Sequence, residues 1–300
     1  MRNEHGLPDW LCTVIQKTRD DYDPGQKTDF SATTLLKPPL IYALEKEHEF
    51  EEDAADNLAS LDGTALHNCI EHQLTDDPRY LVEHRFYRTV HVPNAPGKKK
   101  NFIISAQIDV YDKETKVLWD SKRSKIFKWI KGNFYDYEVQ MNIQRFLMKE
   151  NYEEPEEMKI AFFPKDHDRN KAKWDKDYPD VAFTPIDIPK WHDDDVVDFI
   201  RTSIVEKLYA LRGHKRLCTP EERWQRPSTW AVMRKGRKSA IRVFDTEGEA
   251  EDYLKSLTND LTKKAGEEYI EHRPGEDIRC TGFCPVSEHC SYFQENYGGS

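Results

Sequence analysis

Between Phe102 and Lys122 the chain reads FIISAQIDVYDKETKVLWDSK, two alternating apolar runs around a charged turn. Alternation with a period of two is the pattern of strands that bury one face, so the segment predicts a hairpin. What constrains the fold is where the acids fall. Asp109 stands in the first run between Ile108 and Val110, where an acid is costly without a partner. Asp120 and Lys122 end the second run, two positions apart, and project to one side with Ser121 opposite. A hairpin brings Asp109 beside them. Two carboxylates next to one ammonium suit Mg²⁺ held against a phosphodiester and an activated water.

At 300 residues the chain accommodates one large domain or two small ones. Charged residues make up 33% of it, and no apolar run approaches the roughly 20 residues of a membrane span. The start, MRNEHGLPDWLCTV, lacks the basic and apolar regions of a signal peptide, so a cytoplasmic protein with no membrane partner is expected. A net charge of −10 argues against a body coated in nucleic-acid-binding surface. The cations are local, however. Lys122–Lys131 (KRSKIFKWIK) contains no acid, which makes Arg123, Lys125 and Lys128 candidates for phosphate contact. Lys215–Arg242 is mostly basic, with Trp224 and Trp230 interleaved. Basic tracks on an acidic body fit a protein that meets DNA in one groove.

Along the chain, Ser31–His48 predicts a helix capped by Thr33 or Thr34, with Pro38-Pro39 near its start. From Gly63, Leu66, Ile70 and Leu74 form one helical stripe with His67 beside it. Tyr80–Val92 alternates as a strand, Tyr135–Lys149 predicts a helix and Lys159–Pro164 a short buried strand. Asp187–Leu211 contains a helix with acids in its first turn. After Gly213, Trp230–Asp245 predicts a hairpin turning at Lys235-Gly236, and Thr246–Lys264 a helix. The tip residues Arg234, Lys235, Arg237 and Lys238 suit backbone contact with single-stranded DNA, with the tryptophans as stacking surfaces. A solvated turn over a small tryptophan core is the alternative. Two domains are expected, 1–212 and 213–300.

The order Gly63-Thr-Ala-Leu-His67, Ala106-Gln-Ile-Asp109, Asp120-Ser-Lys122 and Gln140-Met-Asn-Ile-Gln144 resembles the motif series of the PD-(D/E)XK nuclease superfamily, in its RecB-like branch, over about residues 31–211. Two positions depart from that pattern. Ala106 replaces a usual Gly, and Gln144 replaces a usual Tyr, so Gln140 alone matches the last motif. The resemblance implies an α/β fold, a central mixed sheet flanked by helices with a restriction-endonuclease-like core. It implies Mg²⁺ or Mn²⁺ held by His67, Asp109, Asp120 and the Ser121 carbonyl. Lys122 would position water and stabilise phosphate charge, and Gln140 would hold the lysine or the DNA backbone.

Six cysteines in an intracellular chain point to metal ligands or buried thiols before disulfides. Cys280, Cys284 and Cys290 form a close trio. RecB-like relatives such as the CRISPR-associated and AddAB-type nucleases carry a [4Fe–4S] cluster on a similar trio plus an upstream cysteine. The expected upstream position here reads Leu36-Lys37-Pro38-Pro39, and Cys218 is the choice for fourth ligand. Four thiolates also bind Zn²⁺, for which His289 is a further candidate. Cys69 is expected to be a core thiol, and Cys12 a less favoured ligand.

The function expected is a metal-dependent DNA exonuclease acting on ends or single strands in replication, recombination or repair, with residues 1–60 as a cap. No GxxxxGK[ST] motif is present, so strand separation would come from a helicase or from a single-strand-binding or annealing protein, as for compact nucleases encoded by bacteriophages. The competing expectations are a non-catalytic nucleic-acid-binding or assembly protein, and a site-specific endonuclease.

Overall fold

The computed structural model describes residues 1–20, 27–258 and 267–298. The chain divides into two units, Met1–Arg216 and Leu217–Ser300. The first runs α1 (Asp9–Asp20), β1 (Phe30–Ser31), α2 (Ala32–Leu36), α3 (Pro39–Glu47), α4 (Leu58–Leu74), β2 (Tyr80–Val82), β3 (Arg85–His91), β4 (Asn101–Gln107), β5 (Val110–Asp112) and β6 (Val117–Ser124). It continues through α5 (Ile126–Lys131), α6 (Tyr135–Asn151), β7 (Glu157–Pro164), β8 (Thr184–Asp187) and α7 (Asp193–Ala210).

The architecture is α/β, with mixed sheets flanked by helices. Five strands lie in the order β2-β5-β6-β7-β8, with β6 and β7 parallel and the other pairs antiparallel. Parallel strands need a crossover, and α5 and α6 supply it. A second sheet has the order β1-β4-β3. The α6 helix lies against β3 and β4 with α7 alongside, and α4 lies against β2 and β6. Val139, Ile143, Phe146 and Leu147 of α6 are buried, as their helical spacing predicts.

Several elements differ from the sequence expectation, each for a local reason. The helix over Ser31–His48 is two helices. Pro38 disfavours helical backbone at Lys37, which is extended, and Pro39 opens α3. Ser31, rather than Thr33 or Thr34, caps α2 by accepting the Thr34 N–H (3.1 Å). Gly63 is inside α4, not at its start. Leu66, Ile70 and Leu74 are half-buried, and Cys69, off that stripe, is exposed and no core thiol. The strand over Tyr80–Val92 breaks at Glu83-His84, where Glu83 takes φ +46°.

The hairpin expected over Phe102–Asp120 is also reorganised. Its turn joins β5 to β6, while β4 belongs to the other sheet. Asp109 is thus not inside a strand but in the step between β4 and β5. The two breaks meet: the Glu83 N–H donates to the Asp109 carbonyl (2.9 Å) and the Ile108 N–H to that of His84 (3.0 Å). Asp109 turns its carboxylate onto the Ser121 N–H, which a regular ladder would not permit.

The turn after β5 is held by Asp112, which is buried and takes Arg79 in a two-pronged contact (2.9 and 2.5 Å). Arg79 holds this carboxyl well below its ordinary range. A depressed carboxyl stabilises the fold above its unfolded pKa, and that stability disappears as pH falls toward the folded value. Asp112→Asn is therefore expected to lower the midpoint of thermal unfolding at pH 7, with the deficit shrinking below about pH 4. A deficit that stays constant from pH 7 to pH 2 would show that the pair contributes nothing through ionisation.

The second unit contains β9 (Gln225–Arg226), β10 (Thr229–Arg234), β11 (Arg242–Phe244), α8 (Glu247–Thr258), β12 (Glu268–Arg273), β13 (Glu276–Asp277), α9 (Ile278–Gly282) and α10 (Ser291–Tyr297). The expected hairpin forms from β10 and β11, and β12 pairs on the other side of β10. Gly236 takes φ +80° at the turn, a conformation that a Cβ would strain. The α8 helix begins after Thr246, whose hydroxyl accepts the Glu249 N–H. The remainder of that expected helix, 259–264, and the last two residues of the tail, 299–300, lie outside the described residues. Among the described residues no helix is long and apolar enough to cross a membrane.

Candidate metal and catalytic site

Asp109, Asp120, Lys122, His67 and Gln140 meet in one region of the first unit. Asp120 is fully buried on β6. Its Oδ1 accepts hydrogen bonds from Gln140 Nε2 and Gln144 Nε2, both at 3.1 Å, from successive turns of α6. Its Oδ2 lies 2.5 Å from Lys122 Nζ, an ion contact without the angle of a directed hydrogen bond. Asp120 and Lys122 thus share a side of β6, as period-two alternation requires. Asp109 Oδ2 accepts the Ser121 N–H at 2.5 Å.

His67 projects from α4 with Nδ1 at 3.1 Å from Glu83 Oε1 and 3.5 Å from Asp109 Oδ2. Glu83 Oε2 in turn accepts from Gln107 Nε2 (2.6 Å). Among the described residues, His67, Glu83 and Asp109 are the group whose ligand atoms all come within 4.8 Å of one another. Asp120 is not in that group; its partners are Lys122 and the two glutamines. A cavity of about 270 Å³ opens onto His67, Glu83, Asp109, Lys122, Gln140 and Gln144.

The electrostatics follow from burial. Loss of solvent, reinforced by Asp120, pushes the Asp109 carboxyl up to about 8. Burial pulls the Lys122 ammonium down, but Asp120 and Asp109 outweigh it and keep it charged. The Glu83 hydrogen bond raises His67 against the opposing effect of burial. Glu83, Asp109 and Asp120 therefore share this region with His67, Arg85 and Lys122, and one fully buried oxygen, Asp120 Oδ2, lacks a directed hydrogen bond. Oxygen donors with one imidazole fit a hard divalent cation.

Three participants were not singled out from sequence. Glu83 comes from a strand break that single-strand alternation conceals. Gln144, set aside as a mismatch, sits one turn beyond Gln140 and reaches the same carboxylate. Tyr137 lies between two lysines, Lys122 Nζ 5.6 Å and Lys128 Nζ 4.8 Å from its ring centre. Gln140 itself holds Asp120 rather than Lys122.

If Glu83 is a ligand, Glu83→Gln keeps its size but removes a charge. Divalent-metal affinity, read by calorimetry, is expected to fall about 10–100-fold with the unfolding midpoint little changed. Unchanged affinity would exclude Glu83 from the site.

The expected DNA-contacting cations are partly neutralised. Arg123 pairs with Asp62 (2.9 Å) and Lys128 with Asp136 (2.8 Å). Lys125 precedes α5. At the hairpin tip Arg234 pairs with Glu268 (2.7 Å) and Lys235 with Glu267, across β10 and β12, while Arg237 reaches Ser239 and Lys238 is exposed. Trp230 is half-buried against His272, and Trp224 is 45% exposed.

Cys218, Cys280, Cys284 and Cys290 gather within the second unit. Burial pushes the Cys218 thiol up to about 12, and Glu222 and the other three thiols add to it. Cys280 is raised to about 11, by burial first and then by Asp277. All four are free thiols. Among the described residues no three of them bring their sulfurs within 4.8 Å of one another.

No protein-family model matches the chain, and no curated protein does. Among solved structures, SSO0001 is similar over 65% of this chain and 84% of its own, at 15% identity and a TM-score of 0.46. A phage-related exonuclease from Haemophilus somnus 129PT is similar over 69% of this chain and 85% of its own, at 12% identity and a TM-score of 0.30. What bears on function is the arrangement of side chains around Asp109 and Asp120.

Proposed function

We propose that this chain is a metal-dependent deoxyribonuclease, an exonuclease that hydrolyses phosphodiester bonds at DNA ends or in single strands. The observation that carries this is the convergence of His67, Glu83 and Asp109 on one cavity with Lys122, whose ammonium also contacts the buried Asp120. Carboxyls brought together out of water stay ionised only where a cation joins them, and are otherwise protonated. His67, Glu83 and Asp109, with Asp120 and the Ser121 carbonyl adjoining, would hold Mg²⁺ or Mn²⁺. Bound there, the ion supplies Lewis-acid activation of water and charge neutralisation at the phosphate. Lys122 orients the attacking water and stabilises the charge developing on the phosphoryl oxygens. Gln140 and Gln144 fix the Asp120 carboxylate so that its second oxygen faces Lys122. The chain incubated with Mn²⁺ should degrade linear DNA and leave closed circular DNA intact, and EDTA should stop the reaction. Nicking of circles would favour an endonuclease; binding without cleavage in any divalent metal would favour a non-catalytic nucleic-acid-binding protein.

Cys218, Cys280, Cys284 and Cys290 would hold a [4Fe–4S] cluster, with Zn²⁺ as the alternative. Protein purified without oxygen should be brown and carry iron and sulfide; colourless protein with stoichiometric zinc would reverse the choice.

A further inference from the structure

Gln107, the last residue of β4, touches both halves of the site. Its backbone carbonyl accepts from Gln144 Nε2 (2.9 Å), the same nitrogen that donates to Asp120 Oδ1. Its side chain serves the other half. Nε2 donates to Glu83 Oε2 (2.6 Å), and Oε1 accepts from Arg85 Nη2 (2.5 Å). Arg85 and Gln107 stand directly opposite in the ladder of β3 and β4, so their side chains share one face of that sheet. Both line the cavity. Neither residue has a role in hydrolysis as set out above.

The two ends of this chain of contacts fix its direction. A guanidinium only donates, so the amide oxygen of Gln107 faces Arg85 and the amide nitrogen faces Glu83. Glu83 is thereby divided: Oε1 lies 3.1 Å from His67 Nδ1, and Oε2 is held by Gln107. The Glu83 backbone is pinned as well. It takes φ +46°, a left-handed conformation that non-glycine residues seldom adopt, and its N–H donates to the Asp109 carbonyl. Asp109 is committed in the same manner, with Oδ2 accepting the Ser121 N–H. Each carboxylate therefore carries a donor on one oxygen, which disfavours a clasp of both oxygens on one ion. That condition sorts divalent ions. Ca²⁺ gathers about six to eight oxygens and readily takes both from one carboxylate, whereas Mg²⁺ keeps a compact octahedron of single oxygens and waters.

We propose that Gln107, oriented by Arg85, is a positioning residue that sets which ion the site accepts. By holding Oε2 of Glu83 it leaves a single oxygen for the metal, and so favours Mg²⁺ and Mn²⁺ over Ca²⁺. This rests on the reading of His67, Glu83 and Asp109 as metal ligands, and it needs no catalysis.

The test titrates the full chain, without DNA, with Mn²⁺ and separately with Ca²⁺ by calorimetry. Wild-type protein should bind Mn²⁺ at least about tenfold more tightly than Ca²⁺. Gln107→Leu removes both side-chain hydrogen bonds at similar volume. It should weaken Mn²⁺ about tenfold while Ca²⁺ holds or tightens, so the preference shrinks by about that factor. Arg85→Met frees the amide to turn and should shrink the preference in the same direction by less. In a Glu83→Gln background Gln107→Leu should alter the ratio no further, because no carboxylate remains there to divide. Unfolding midpoints in EDTA show which variants are folded, and general loosening of the site would weaken both ions in equal proportion. The proposal is overturned if folded Gln107→Leu and Arg85→Met keep the wild-type ratio, if both ions weaken equally, or if the effect persists without Glu83. Wild-type protein that binds no divalent ion would sink the metal reading along with it, whereas binding with an unchanged ratio would sink the role of Gln107 alone.

Discussion

Lys122→Ala is expected to lower the rate of DNA hydrolysis by about 10²–10³-fold while leaving binding of uncut DNA in EDTA within a few-fold of wild type. The size follows from where the ammonium sits. Lys122 lies 2.5 Å from Asp120 Oδ2 and faces the cavity, where a charge developing on phosphate is poorly screened. Its removal strips the transition state of a fixed cation but leaves most of the DNA-contacting surface in place. Asp120→Asn is the matching test. The amide keeps the shape and an oxygen for Gln140 and Gln144, whereas alanine would take that acceptor from Gln140 and Lys122 and leave Gln144 only the Gln107 carbonyl. Asp120→Asn should reduce hydrolysis at least as far as Lys122→Ala, and the double variant should lose little more, because the two groups act as one unit. Unfolding midpoints separate lost chemistry from lost fold. Cleavage that persists at wild-type rates in both folded variants would remove these residues from the chemistry, whatever the DNA affinity.

The parts of this site readable in the sequence are those set by local geometry. Asp120 and Lys122 share a side of β6 because strand side chains alternate, and Val139, Ile143, Phe146 and Leu147 share a face of α6 because helical ones recur every three to four residues. What local pattern does not encode is where a chain leaves one sheet for another. Glu83 and Asp109 both sit at such steps, and the hydrogen bonds that join them span strands far apart in sequence. Gln144 was hidden differently: its spacing from Gln140 marks a shared helix face, but a motif that favours Tyr there drew attention away. Arg234 and Lys235 looked free because their partners, Glu268 at the start of β12 and Glu267 just before it, arrive more than thirty residues later in the chain. Pro38, by contrast, carried its own signal in its effect on the preceding residue, and the helix break there follows from it.

The second large effect expected is on the stability of Leu217–Ser300. With the four thiols holding a metal as proposed, chelation of the full chain, or replacement of Cys218 or Cys284 by Ser, should leave this unit sensitive to protease while Met1–Arg216 resists. Its apolar core is thin: among the described residues the fully or nearly buried hydrophobics are Ala231, Val232, Met233, Ala250 and Val286. A unit of this size with so small a core needs a staple. One staple is already visible. Buried Asp277 accepts hydrogen bonds from Arg223, Tyr292 and Tyr297, and Arg223 also donates to the Cys218 carbonyl, which ties both cysteine segments together. Burial opposes that carboxyl's charge, but the tyrosines and Arg223 outweigh it and hold its pKa below the ordinary range. The two staples predict different failures. Cys218→Ser should lose metal, read by elemental analysis and absorbance, and gain cleavage sites between 267 and 298. Asp277→Asn should bind metal more weakly yet be protected once loaded, because ligand binding to the native state adds stability by mass action. Chelated wild-type protein that keeps full protease resistance would show that the polar node suffices and that the four thiols do not hold a structural metal.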